Sequence, residues 1–238
     1  MDETSFLDAL KEQGINLQPQ QLKQFELYYE ILIEENKKVN LTAITEKEEV
    51  YLKHFYDSIS PLFYTTFEAG SKVCDIGAGA GFPSIPMLIV QPDIHVTIID
   101  SLQKRIRFLE RLIERLGLTN VTLVHGRAEE TGQNSLYREK YDVVFARAVA
   151  KLNVLAEYCL PLCKVGGTFI ALKGSHVATE LEEAKKAYQA LGEASIHEKT
   201  FQLPKEASER SIVFATKRKP TSKKYPRKPG TPAKTPII

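Results

Sequence analysis

The segment Val73-Cys74-Asp75-Ile76-Gly77-Ala78-Gly79-Ala80-Gly81 carries the residue types best suited to hold a ligand. An apolar run ends, glycines follow at alternate positions, and Phe82-Pro83 comes next. Glycine lets the backbone turn tightly and approach a ligand closely. A dinucleotide site normally uses GxGxxG, because a pyrophosphate rests on the helix N-terminus. Here Phe82 and Pro83 would crowd a pyrophosphate, and Asp75 would repel it. Asp75 is expected instead to face a cationic amino group. Nineteen residues after Gly81, Ile98-Ile99-Asp100 ends in a carboxylate able to accept both hydroxyls of a ribose. Taken singly, Gly77–Gly81 also reads as a plain tight turn and Asp100 as the cap of the next helix. Together they fit an adenosine that carries an ammonium and a sulfonium but no phosphate, which is S-adenosyl-L-methionine.

Other segments supply further candidates. In His125-Gly126-Arg127-Ala128-Glu129, the backbone at Ala128 and Glu129 is placed to border an adenine, or to form a surface turn. Arg147, in Val144-Phe145-Ala146-Arg147-Ala148, offers a planar fork to a methionine carboxylate or a substrate phosphate. His54 and Asp57 lie three apart, on one helix face, where they either touch a target base or simply bond each other. Lys104, Arg107, Arg111 and Arg115 form a stripe at helical spacing, read either as a phosphate-binding face or as a solvated one. Lys173, in Leu172-Lys173-Gly174, is a candidate RNA contact. His95, His125, His176 and His197 are scattered without metal spacing.

The elements that must position these residues change character along the chain. Residues 1–66 read as helical, with Leu22, Phe25, Tyr29, Leu32 and Ile33 at helical spacing after Pro19. A second helical run carries Val50, Leu52, Phe55 and Ile59. Residues 67–216 alternate strands and helices. The strands predicted are Lys72–Ile76, His95–Asp100, Val121–His125, Tyr141–Ala146 and Thr168–Lys173. The helices predicted are Ser84–Val90, Gln103–Leu116, Thr131–Glu139, Leu152–Cys163 and Ala178–Leu191. Such alternation implies a parallel sheet covered on both faces. Two last strands, near Ser195–Gln202 and Ser211–Thr216, have no crossover helix between them and must pair antiparallel. The expectation is a Rossmann-like α/β methyltransferase fold with seven strands, mostly parallel, and an N-terminal helical cap.

Composition bounds the rest. In 238 residues, 43% are hydrophobic, enough for a core without staples, and no apolar run is long enough to span a membrane. Cys74, Cys159 and Cys163 lack CxxC spacing, against disulfides and zinc, so no metal is expected. The N-terminus lacks the basic and apolar regions of a signal peptide, which points to the cytoplasm. Net charge is +2, yet eight basic residues and no acidic one lie from Lys217 onward, leaving the first 216 residues at −6. Residues 217–238 also hold five prolines and read as a flexible basic arm, with Lys223, Lys224, Arg227 and Lys228 available to RNA phosphates. Deleting this arm is expected to weaken RNA binding and leave cofactor affinity unchanged.

What is missing narrows the chemistry. No Asn/Asp-Pro-Pro-aromatic motif follows the fourth strand, which disfavours methylation of exocyclic amines. No Pro-Cys loop offers a thiolate, which disfavours carbon-5 methylation of pyrimidines. A ring nitrogen such as guanine N7 fits better: its lone pair is already exposed and no proton is lost.

The same segments, with Asn40-Leu41-Thr42, His54–Ser58, Asp75–Pro83, Asp100-Ser101-Leu102, Lys104-Arg105, Arg147-Ala148 and Leu172-Lys173-Gly174, resemble the bacterial 16S rRNA guanine-N7 methyltransferase family, RsmG, also called glucose-inhibited division protein B. The resemblance spans about residues 5–216, and the Lys-Lys-Tyr-Pro-Arg-Lys-Pro-Gly-Thr-Pro tail is similar to that of Firmicutes members. It implies methyl transfer from S-adenosyl-L-methionine to N7 of one guanine in the small-subunit rRNA, with Gly77, Phe82, Ala128, Glu129 and Arg147 at the cofactor. It supplies no separate acid or base. The expected partner is 16S rRNA or the small ribosomal subunit, met by a monomer. Two alternatives are a methyltransferase acting on a small molecule or protein, and a non-catalytic rRNA-binding assembly factor.

Overall fold

In the computed structural model all residues are described except His176 and Ala207. His176, one of the scattered histidines, therefore lies outside the described residues. Helix α1 (Glu3–Glu12) is capped by the Asp2 carboxylate, which accepts from Ser5 N. Helix α2 (Pro19–Val39) opens with proline in its first turn and a reciprocal Gln18–Gln21 capping box. It closes at Asn40, in the left-handed conformation. Its inward tyrosine is Tyr28, fully buried, rather than the Tyr29 that the sequence pattern favoured. The second helical run is broken into α3 (Lys47–Val50), a π-helical turn (Tyr51–Tyr56), α4 (Asp57–Ile59) and a 3-10 turn (Ser60–Phe63). Val50, Leu52, Phe55 and Ile59 are all buried in it.

Seven strands follow: β1 (Lys72–Ile76), β2 (His95–Asp100), β3 (Val121–His125), β4 (Tyr141–Arg147), β5 (Cys163–Lys173), β6 (Ser195–Gln202) and β7 (Glu209–Thr216). Their order is β3-β2-β1-β4-β5-β7-β6, and among the described residues β7 alone runs against the others. One apolar core lies between the sheet and α1, α2, α5 (Ser84–Val90) and α6 (Gln103–Leu116). The other lies between the opposite face and α8 (Leu152–Cys159) and α9 (Ala178–Gly192). The cap is thus part of the first core. Gln21 and Gln24 of α2 donate to the carbonyls of Ile89 and Leu116 at 2.6 and 2.8 Å, tying it to α5 and α6. Because β1 and β4 are neighbours while β2 lies on the other side of β1, a crevice opens at their C-terminal ends.

Three expectations are corrected. The helix predicted over Thr131–Glu139 is instead α7 (Ala128–Thr131) followed by turns. The Asn134 side chain accepts from Leu136 N at 2.9 Å, and the Arg138 guanidinium donates to Gly132 O at 2.7 Å. These local bonds compete with a helical ladder. The fifth strand begins at Cys163, so α8 stops at Cys159.

The third correction concerns residues 217–238, expected as a free arm. They lie against the body. Lys217 is fully buried, and its ammonium donates to Glu139, Leu160 O and Cys163 O. Arg138 donates to the carbonyls of Thr221 and Tyr225, and Gln133 to those of Lys223 and Pro226. Arg227 grips Glu157 through Nε and Nη2 at 2.9 and 2.6 Å, and Pro232 opens a short helix, α10 (Thr231–Lys234). Without an apolar run, the segment is held by its own backbone carbonyls and by paired charges.

Candidate functional site

A cavity of about 520 Å³ lies at the C-terminal ends of β1, β2 and β4. Gly77 and Gly79 line it, as do Phe82, Asp100, Ala128, Glu129 and Arg147. The glycines have separate jobs. Gly77, at φ +73°, turns the chain off β1 while its N–H donates to Ile99 O at 2.8 Å. A Cβ on Gly79 would meet no atom within 4 Å, so the backbone there is bare toward the cavity, whereas a Cβ on Gly77 would stand 3.0 Å from Val149. Gly81 does not reach the cavity. A Cβ there would stand 2.7 Å from the Tyr28 hydroxyl and 2.9 Å from Ile85. It lets α2 dock on the loop, where Tyr28 donates to Ala80 O at 2.5 Å.

Asp75 also departs from expectation. It is fully buried behind the loop, accepts from Ser84 N at 3.1 Å, and does not line the cavity. Burial pushes its carboxyl up to about 7. Its one hydrogen bond is to the backbone that opens the following helix, not to the cavity wall. Asp100 does line the cavity. Its Oδ1 accepts from Leu102 N at 2.9 Å, and Oδ2 lies 3.3 Å from Gly79 N and 3.4 Å from Arg105. A carboxylate has about four lone-pair positions, so it can still accept from a ligand.

The cap supplies a wall that local sequence reading did not reach. Leu41 and Thr42 line the cavity, fixed because Asn36 Oδ1 accepts from both their N–H groups. His54, on the π-helical turn, stacks on Phe82 at 4.6 Å between centroids, and Tyr28 stacks on Phe82 at 5.5 Å. The Arg147 guanidinium lies 4.9 Å from the Phe82 centroid and donates to Asp57 at 3.1 Å. Burial, then Arg147, lower the His54 pKa to about 3, so the ring is neutral. Arg147 only donates, so Nδ1 at 3.4 Å accepts, and Nε2 carries the proton toward Thr42 Oγ1 at 2.8 Å. Neither ring nitrogen is left as a free base.

The remaining candidates are not gathered here. Lys173 lies in an adjoining cavity and pairs with Glu180 at 2.9 Å. The basic stripe is largely engaged by the cap: Arg111 pairs with Glu35, Arg115 with Glu34 at 3.3 Å, and Lys104 donates to Val39 O. Arg107 stays exposed. In the C-terminal segment Arg227 is committed to Glu157, while Lys223, Lys224 and Lys228 are exposed. Residues missed from sequence are Arg105, Arg127 and Tyr158 on the cavity wall, and Gly230, whose N–H donates to Glu129 at 2.9 Å. Arg105 and Arg127 stand inside segments the sequence already marked, whereas Tyr158 and Gly230 carry no local signal. Among the described residues, no cluster of His, Cys, Asp or Glu is placed to hold a metal, and no helix is long and apolar enough to cross a membrane.

The chain is similar along its whole length to relatives called ribosomal RNA small subunit methyltransferase G. Those of an Exiguobacterium strain and of Lysinibacillus sphaericus are each 57% identical, over 100% of both chains. That of Bacillus cytotoxicus is 57% identical, over 100% of this chain and 99% of its own. Among solved structures, the fold is shared with M. jannaschii TYW2 in complex with AdoMet (TM-score 0.54, 15% identity, 74% of this chain and 79% of that one). It is also shared with a SAM dependent methyltransferase from Aquifex aeolicus (TM-score 0.51, 18% identity, 77% and 97%). The family described as GidB, rRNA small subunit methyltransferase G, matches residues 21–213, and the chain belongs to that family.

Proposed function

We propose that the chain transfers a methyl group from S-adenosyl-L-methionine to N7 of a guanine in 16S rRNA. The observation that carries this reading is the meeting, in one cavity of a chain of this family, of the Gly77–Gly79 turn, open at Gly79, with the Asp100 carboxylate and Arg147. The residues present fit the cofactor. Asp100 ends β2 with acceptor capacity for ribose hydroxyls, and the backbone at Ala128 and Glu129 borders the far side of the cavity. The volume falls within the range of about 300–1,000 Å³ common to small-ligand sites.

S-adenosyl-L-methionine, when bound, supplies an electrophilic methyl group on a sulfonium. The side chains provide position rather than proton transfer. Guanine N7 offers its lone pair without losing a proton, and His54, neutral and bonded at both nitrogens, is not needed as a base. Asp57 and the Phe82 face hold Arg147 where it meets an anionic group. The stack of Tyr28, Phe82 and His54 closes one side against water. The chain works as a monomer in the cytoplasm.

Asp100→Ala is expected to weaken cofactor binding by roughly 10- to 100-fold, as for loss of a hydrogen bond to a charged group worth about 1.5–3 kcal/mol. Titration calorimetry checks it, and an unchanged dissociation constant removes Asp100 from the site. For the reaction, purified protein and methyl-labelled cofactor are offered small-subunit rRNA, total protein or a small-molecule extract. Label in RNA alone is expected. Label in either other fraction, with none in RNA, overturns the acceptor class.

A further inference from the structure

Beside the cofactor cavity lies a second one, of about 420 Å³, which shares His54, Arg147 and Ala148 with it. Among the described residues four cationic side chains line it, Lys53, Arg147, Lys173 and Arg210, against one carboxylate, Asp57. At its floor Asp57 is shared: Arg147 reaches Oδ2 at 3.1 Å and Arg210 reaches Oδ1 at 3.4 Å. These side chains are mostly buried, at 12% exposed for Arg147, 11% for Asp57 and 22% for Arg210. Burial pushes the Asp57 carboxyl up while the two guanidiniums pull it down. Whether Asp57 is ionised or not, this cluster keeps at least one positive charge without a partner. Glu49, Glu206 and Glu180 offset Lys53 and Lys173, but they lie outside the cavity wall and are 44%, 35% and 26% exposed. Burying a net charge is unfavourable unless something completes it.

We infer that the Arg147–Asp57–Arg210 cluster is the subsite for a backbone phosphate of the target RNA, with Arg210 as its dedicated ligand. This rests on the methyltransferase reading above and extends it to acceptor recognition. Arg147 lines both cavities, whereas Arg210 lines only the second, with its Nε on Asp57 and its Nη1 on Glu209 O. A planar guanidinium suits phosphate oxygens. A phosphate also suits the reaction better than a base would, because alkylation at N7 leaves the base cationic and unwelcome against two guanidiniums. Lys173, 14% exposed and paired with Glu180 at 2.9 Å, stands on the same wall. The segment bearing Arg210 is the one antiparallel strand, and its pairing with β5 sets Ser211 opposite Lys173. The sheet topology thus delivers both cations to one rim.

The test uses the full-length protein, Arg210→Ala and Arg210→Gln, with small-subunit rRNA as acceptor. Gln retains a donor toward Asp57, so it separates loss of charge from loss of packing. Both variants are expected to raise the KM for RNA about ten-fold with cofactor affinity unchanged. The slope of log affinity against log salt is expected to fall by about 0.7–0.9, the value for one phosphate contact. Arg210→Lys is expected to restore part of the loss. An unchanged RNA KM and salt slope in a variant that still binds cofactor overturns the inference. An equal loss of cofactor affinity overturns it too, because the anion completing the cluster is then the cofactor's carboxylate. A wild-type chain that labels no RNA takes down the methyltransferase reading as well. Labelling by the wild type with no effect in the variants takes down this inference alone.

Discussion

Arg227→Ala is expected to destabilise the folded chain by about 3 kcal/mol, the lower end of the cost of leaving a buried charge without its partner. Glu157 is 1% exposed and accepts from Arg227 N, Nε and Nη2. Alanine keeps the backbone N–H and removes the rest. For a domain of this size about 3 kcal/mol corresponds to a melting shift of roughly 6–12 °C. The effect should reach the cofactor cavity. Tyr158, next to Glu157 on α8, lines it, and Glu129 on its wall accepts from Gly230 N of the same segment. A chain ending after Lys228 keeps Arg227 and loses the Gly230 bond, and should bind cofactor more weakly with a smaller melting shift. Differential scanning calorimetry and cofactor titration measure both. An Arg227→Ala protein that melts within a degree or two of wild type would show that Glu157 does not depend on this partner. Through these contacts, removal of the C-terminal segment is now expected to lower cofactor affinity, where the sequence alone suggested it would be spared.

Gly81→Ala and Gly79→Ala are expected to fail in different ways. At Gly81, φ +98° disfavours any L side chain, and the new Cβ would press on the Tyr28 hydroxyl and Ile85. Left-handed strain of about 1–2 kcal/mol and overpacking of about 1–3 kcal/mol act together, so a loss of roughly 3 kcal/mol is expected. At Gly79, φ +61° brings left-handed strain of about 1–2 kcal/mol as well, but no protein atom lies within 4 Å of a new Cβ, so overpacking is absent and the methyl group intrudes on the cavity wall. Gly81→Ala should mainly lower the melting temperature. Gly79→Ala should mainly weaken cofactor binding. Equal melting shifts with equal cofactor losses would contradict the division of roles.

These cases show why some of the site was legible and some was not. The loop and Asp100 were readable because their partners are local: a strand end, a tight turn and the next strand of a repeating unit. The periodic strands and helices were readable for the same reason. Within the loop, though, spacing could not separate a glycine that faces a ligand from one that faces a helix over fifty residues earlier, as Gly81 faces Tyr28. Asp75 reads as a ligand-facing acid from its place in the motif, yet in the structure it is buried behind the loop. The basic stripe on α6 reads as solvated until Glu34 and Glu35 of α2 are set opposite it. The C-terminal segment was hardest. Its composition is that of a linker, and what holds it are Arg138, Gln133, Glu139 and Glu157, ordinary polar residues sixty or more positions away. Long-range polar pairing leaves no periodic trace.

The reaction itself is decided by the identity of the modified nucleoside. Small subunits and naked 16S rRNA from cells lacking this methyltransferase are incubated with the protein and methyl-labelled S-adenosyl-L-methionine, then digested to nucleosides and separated by mass. The expected product is label in 7-methylguanosine alone. Label in any other nucleoside, or none in RNA from a protein that binds the cofactor, would contradict transfer to guanine N7.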